Sequence, residues 1–299
     1  MIQIAVPATA SRTIKRVDLI AARAIGMLWQ LMGTIGGIFL RQTNKIASSM
    51  AALWATLALA VQPRSWTVPV RAVFLRQMLF TAVDAIPSAL RFAAAVGVLL
   101  IVQTMMWIDM VGVSIDIIAP FLWRSIVREI APLLACLVVI GRSGIAISAE
   151  LGTMRAGGEV EVLDSQGIDP MTFLVMPRVL AVMLSVFCLA VVIAVTMVVT
   201  GYAVGAMMGA IRTTWSDFFG EISRNFDVQD LIFFASKTLI AGGFAGVICC
   251  LEGISVHGAI TDVPRATSRA GIRALTAVFA VSAILSILFY DKFLVFKFG

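Results

Sequence analysis

Six charged side chains fall where the sequence is otherwise apolar: Arg124, Arg128, Glu129, Arg142 and Glu150 in one long run, and Lys237 midway along another. An uncompensated charge at bilayer depth costs at least about 2.5 kcal/mol on insertion scales, so each should face a partner, a cavity or a bundle interior. Such a set suits recognition rather than bond-making. Arg124, Arg128 and Lys237 beside Glu129 give a net cationic patch between greasy walls, which fits an amphiphile with an anionic head. The plainer alternative is that Arg128 and Glu129 neutralise neighbours or snorkel outward. Catalytic arrangements are absent, with no nucleophile and base at useful spacing. Ser236 precedes Lys237 where a Walker A loop needs glycine, so ATP is not expected to bind this chain that way. The single histidine, His257, follows Gly253-Ile254-Ser255-Val256 without the second glycine of a nucleophile elbow, and has no second histidine to form a metal pair. It is expected to be an ordinary loop residue. Cys136, Cys188, Cys249 and Cys250 lie in apolar runs without CxxC spacing and read as core packing. No metal and no cofactor are expected in this chain.

The elements that must hold these residues are membrane helices. Hydrophobic residues make up 60% of the 299 and charged residues 13%, a balance typical of a polytopic bundle. Each span needs roughly twenty residues, which allows about five or six. A β-barrel is excluded because the apolar segments are long and even rather than short and alternating. The fold class is therefore all-α. Spans are placed near 85–108, 118–149, 173–208, 229–251 and 273–296. From Arg12 to Arg76 there are nine Lys or Arg against one acid, Asp18, whereas 109–117 holds Asp109 and Asp116 and no base. The positive-inside rule then puts the N-terminus, 150–172 and 252–272 in the cytoplasm, and 209–228 and the C-terminus outside. The loop carrying Arg265, Arg269 and Arg273 agrees; the acidic loop around Asp164 does not, though acids weigh little in the rule. Nucleic-acid binding is not expected, since the positive charge is spread along helices at the membrane surface.

Two further apolar stretches precede the first span. In 19–40 and its flanks, Arg12, Arg16, Arg23, Gln30, Thr34 and Arg41 fall within roughly 40° of one another on a helical projection. That basic stripe predicts a helix in the headgroup plane, meeting anionic lipid; the alternative is a tilted span with a buried Arg23. The uncharged segment 46–62 dips deeper and is expected to stop at Pro63 and Pro69. Gly141, Gly144, Ala146, Ser148 and Gly152, and Gly242, Gly243 and Gly246, give two spans small faces suited to close packing, within one chain or between two. Residues 141–181 drop a densely charged, Gly-rich stretch between two apolar spans, a water-exposed loop that returns at once to the membrane and looks built for a partner.

At these residues the chain resembles the MlaE family of ABC-transporter permeases, associated with lipid transport and MCE proteins. The matching pattern is Arg128-Glu129 with Pro132, Gly141-Arg142 with Gly144, Ala149 to Arg155, Gly167 with Pro170, and Pro177-Arg178. Asp230 with Lys237, Cys250 with Gly253, and Arg265-Ala266-Thr267 with Arg269 match downstream. The resemblance covers about 46–297; residues 1–45 form an extension without counterpart in the shortest members. It implies a homodimeric permease of the bacterial inner membrane, each copy with an elbow helix at about 46–62 and five spans. The implied partners are a second copy, a cytoplasmic ATPase that binds ATP and Mg, a periplasmic MCE-domain protein and, in some systems, a small STAS-domain protein. Glu159, Glu161, Asp164, Gly167, Asp169 and Pro170 are implied to form the coupling element on the ATPase. Arg128, Glu129 and Lys237, with Arg124, are implied to line the lipid cavity, and phospholipid is the expected cargo. Arg142, Glu150, Arg155, Arg265 and Arg269 are motif positions without an assigned role. Where some relatives carry an acid in the last span, this chain has Ser282. Another hydrophobic cargo, or a non-transporting scaffold for an MCE protein, is the alternative.

Overall fold

Uninterrupted runs of Leu, Ile, Val, Ala and Phe leave a chain in lipid one way to satisfy its backbone, the helix. The computed structural model describes residues 46–111, 123–208, 220, 228–256 and 258–297, and within them every long element is helical. The chain divides between Ala51 and Ala52; the unit before that point contributes only residues 46–51 to the described structure. The basic stripe of Arg12, Arg16, Arg23 and Arg41 lies outside the described residues, as does His257.

Helix α1 is described over Ile46–Val61, an apolar stretch of roughly 24 Å at 1.5 Å per residue. Ala52 and Thr56, one turn apart, are buried while Trp54 and Val61 are exposed. Its end is tied to the next helix by Trp66, whose Nε1 donates to the Ala60 carbonyl at 2.8 Å and whose ring meets Phe74 edge-on.

Five helical segments are long and apolar enough to cross a membrane. The first joins α2, Val68–Met78, through a π-turn at Leu79–Val83 to α3, Ile86–Val111. The span expected at 85–108 thus has a helical lead-in: Pro69 sits in the first turn of α2, where its missing N–H costs nothing, and starts a helix rather than ending one. Helix α4, Trp123–Ala156, contains two π-turns, Ile126–Ile130 and Ile140–Gly144. It runs past the expected end at 149, so Glu150 and Arg155 are helical rather than in a loop. After the short α5, Glu159–Ser165, comes α6, Met171–Met207, then α7, Val228–Ile254, and α8, Val263–Lys297. Helix α8 starts ten residues before the expected 273, with Pro264 in its first turn, so Arg265, Arg269 and Arg273 lie on a helix and not in a loop.

Helices α4, α6 and α7 form the interior. Helix α7 packs on α4, α6 and α8, and α6 packs on α2, α3 and α4 as well. The most apolar stretch of α7 is 61% buried, against 17% for the last span. Lipid offers no hydrophobic drive between helices, so contact rests on close packing. Gly246 supplies it against α6, where an added Cβ would come within 3.2 Å of the Val179 backbone; Gly253 supplies it against α4, at 2.8 Å from the Ser148 carbonyl oxygen. Three cysteines are buried, but Cys188 is exposed on the outer side of α6, a correction to its expected place in the core.

Candidate functional site

Asp230 and Lys237 are seven residues apart on α7, about 20° short of two full turns, so they share a face with Phe233 between them. That face meets the first π-turn of α4. A π-turn widens the helix by one residue and recurs at functional sites; here it carries both Arg128 and Glu129. Arg128 donates through Nε to Asp230 Oδ1 at 2.5 Å and also engages the same carboxylate through its terminal Nη2. Arg124, one turn earlier, reaches Asp230 Oδ2 at 3.8 Å. Lys237 Nζ donates to Glu129 Oε2 at 2.5 Å and to Ser286 Oγ of α8 at 2.9 Å. Ser286 Oγ lies 2.6 Å from Glu129 Oε1 and 2.8 Å from the Ser282 carbonyl oxygen, and its single proton serves one of these acceptors at a time. The Phe233 ring lies under both cations, 5.6 Å from the Arg128 guanidinium and 5.2 Å from Lys237 Nζ, and stacks edge-on with Phe289.

Three bases against two acids leave this network with one net positive charge when all five groups are ionised. Exposure is graded across it. The Lys237 and Asp230 side chains are 1% and 5% exposed, that of Arg128 22%, and those of Glu129 and Arg124 43% and 44%. All four residues expected in a lipid cavity therefore come together, and Asp230, Ser286 and Phe233 join them. Lys237 is not at an open wall. Its ammonium is enclosed and held by Glu129 and Ser286, while the arginines and Glu129 carry the exposed side of the cluster. The Ser282 side-chain oxygen is buried with no hydrogen-bond partner among the described residues, one turn from Ser286.

The remaining motif residues sit elsewhere. Arg142, in the second π-turn of α4, caps the Phe80 carbonyl at 3.2 Å, lies over the Phe80 ring and pairs loosely with Asp84 at 3.9 Å. Glu150 accepts from Arg178 Nη2 at 2.8 Å, and Arg178 Nη1 donates to the Leu174 carbonyl at 3.0 Å. Arg155 pairs with Glu161 at 2.8 Å. Helix α5 is bracketed by Gly158 and Gly167, with φ of 76° and 74°, conformations an L side chain rarely adopts. These turns present Glu159, Glu161 and Asp164 on an exposed helix that buries Val160. Asp169 acts locally, its carboxylate accepting from the N–H groups of Met171 and Thr172 and so capping α6, with Pro170 next in the chain. Arg265 and Arg269 are exposed one turn apart on α8, and Arg273 pairs with Glu252. Among the described residues no three His, Cys, Asp or Glu side chains gather as a metal-ligand set.

A family profile described as Permease MlaE matches residues 74–288, most of the chain and both halves of the network. The chain belongs to the MlaE permease family. Among curated proteins, a probable ABC transporter permease of Synechocystis is 29% identical over 217 residues, 73% of this chain and 81% of that one. One from Rickettsia felis is 25% identical over 266 residues, 88% of this chain and 99% of its relative. The chloroplast protein TRIGALACTOSYLDIACYLGLYCEROL 1 of Arabidopsis thaliana is 28% identical over 165 residues, 55% of this chain and 46% of that protein. The molecule is thus a multi-pass membrane permease of the ABC-transporter type, a transporter subunit rather than an enzyme.

Proposed function

We propose that this MlaE-family permease moves phospholipid between the bacterial inner membrane and a periplasmic MCE-domain protein, driven by a separate cytoplasmic ATPase. The observation that carries the reading is the ionic network on α4, α7 and α8: one net positive charge, graded from enclosed to exposed, inside apolar walls. Arg124 and Arg128 meet the headgroup, and the Lys237–Glu129–Ser286 triangle holds α4, α7 and α8 in the register that presents them. Two copies form the path, and the exposed apolar residues of the outer helices, such as Phe279, Ile284 and Ile287 of α8, face acyl chains or the second copy. The ATPase docks on α5, whose two glycine turns let it tilt as one piece, with Glu159, Glu161 and Asp164 outward. In this reading the N-terminus is cytoplasmic and the C-terminus periplasmic, in keeping with the basic-residue distribution. A diacylglycerol lipid in the name of the chloroplast relative is consistent with diacyl cargo.

The test is ATP-dependent transfer of labelled phospholipid from vesicles carrying the permease with its ATPase to the MCE-domain protein. Arg124→Ala/Arg128→Ala, with Asp230→Asn added so that no enclosed carboxylate is left unpaired, should abolish net transfer while the complex still assembles. Wild-type transfer by that variant would refute the headgroup role, and transfer of a neutral sterol unaffected by it would shift the cargo to an uncharged lipid.

A further inference from the structure

The other end of α4 carries a second polar site that the transport reading does not use. Glu129 and Glu150 are 21 residues apart on this helix, roughly 30 Å, so the two lie near opposite faces of the hydrocarbon layer. Beside Glu150 is a cavity of about 290 Å³ between α2, α4 and the start of α6, with Arg76, Gln77, Phe80, Ile147, Glu150 and Arg178 in its walls. That volume is at the lower limit of small-molecule sites and takes a headgroup rather than a whole lipid.

Its donors are two arginines. The Arg178 side chain is 6% exposed, and its Nη1 and Nη2 are engaged by Leu174 and Glu150, each nitrogen keeping a second N–H. Arg76 lines the same cavity, is exposed, and has no hydrogen bond or ion pair among the described residues. Arg142 lies behind the Phe80 wall, shared with Asp84. The charged lining, Arg76 and Arg178 against Glu150, is net positive by one. Outward from the cavity, α2 and the start of its π-turn present Leu75 and Leu79, both more than half exposed, as a track for acyl chains.

We infer that this cavity seats a phosphate-bearing headgroup, with Arg76 and Arg178 as its donors and Glu150 as the acid that tempers its affinity. Of the two sources of a phosphate group, a lipid in the leaflet on the α5 side is the one the apolar track beside α2 supports. Occupancy would join α2 to α4 and α6 next to the turn that leads into α5, independently of which cargo the opposite end handles.

The experiment uses the full-length chain, with whatever partners it retains, in an Arg124→Ala/Arg128→Ala/Asp230→Asn background, so that the opposite site does not report and no enclosed carboxylate is left unpaired. Native mass spectrometry would follow binding of phosphatidylglycerol, phosphatidylcholine and inorganic phosphate. Phosphatidylglycerol should bind in preference to phosphatidylcholine. Arg76→Ala should weaken it about five-fold, which is the roughly 1 kcal/mol that a basic residue contributes beside anionic lipid, and Glu150→Gln should tighten it. Arg76 is exposed, so that change spares the fold; Glu150→Gln leaves the enclosed Arg178 uncompensated and costs stability, and size-exclusion profiles check both. Arg71→Ala, on the same helix outside the cavity, should have no effect. Saturation by inorganic phosphate with displacement of the lipid would keep the site and assign it to a soluble phosphate. Unchanged binding in Arg76→Ala, or an equal loss in Arg71→Ala, would overturn the proposal.

Discussion

The asymmetry of the Lys237–Glu129 pair yields a prediction that a simple salt-bridge picture does not. The Lys237 side chain is 1% exposed, whereas that of Glu129 is 43% exposed. Glu129→Gln leaves an enclosed ammonium facing only an amide, Ser286 and the Phe233 ring. Removing one partner of a buried ion pair costs about 3–5 kcal/mol, since the remaining charge is uncompensated. Lys237→Met instead leaves a carboxylate that is nearly half open, still near Ser286 and hydratable from the cluster's exposed side; the loss of one charge-assisted hydrogen bond there is about 1.5–3 kcal/mol. Glu129→Gln should therefore be the more damaging change by about 2 kcal/mol, and adding Lys237→Met to it should restore stability to nearly that of Lys237→Met alone. Reversible unfolding in mixed micelles with a rising SDS fraction, followed by tryptophan fluorescence, measures all four corners of this cycle. Equal costs for the two single variants, or the reverse order, would refute the claim that Lys237 is the enclosed member.

Single contacts carry further expectations. Gly253→Ala should cost about 1–3 kcal/mol of helix packing, because the new methyl group meets the Ser148 carbonyl. Gly141→Ala should leave the single chain intact, since nothing lies within 4 Å of its Cβ position; the same micelle titration compares the two. Asp169→Ala should lower stability by about 0.5–2 kcal/mol through the lost cap, with Asp169→Asn retaining most of it. Charge reversal of Glu159 and Asp164 should uncouple ATP hydrolysis from lipid transfer without unfolding the permease, because both are exposed and stand apart from the pair formed by Arg155 and Glu161; normal coupling would remove α5 from the docking role.

Helical class and the sites of intramembrane charge were legible because both depend on composition along the chain, and lipid penalises exceptions strongly. Helix starts were less so. Pro69 reads as a breaker in a linear scan, yet in the first turn a proline is preorganised for the helix, and the same holds for Pro264. Acid–base pairing was legible only where one motif held both members. Asp230 stands in the sequence as an isolated acid seven residues from Lys237, and nothing local says that it answers Arg128, 102 residues away, and Arg124 beyond it. Ser286 gave no signal at all, being one small polar residue in an apolar run. Arg178 could have been found: an arginine entering a long apolar span needs an acid at its own depth, and Glu150 is the nearest candidate across the turn.

The two π-turns of α4 explain why projection alone misplaces its polar residues. On an unbroken helix Arg128 and Arg142, 14 residues apart, would lie within about 40° of one another and read as a single stripe. Each π-turn adds one residue to a turn and rotates the rest of the helix by about 100°. The observed contacts show that rotation: Arg128 turns to Asp230 on α7, whereas Arg142 turns to Phe80 and Asp84 at the α2–α3 junction. One helix can in this way serve two polar sites on different neighbours near opposite membrane faces.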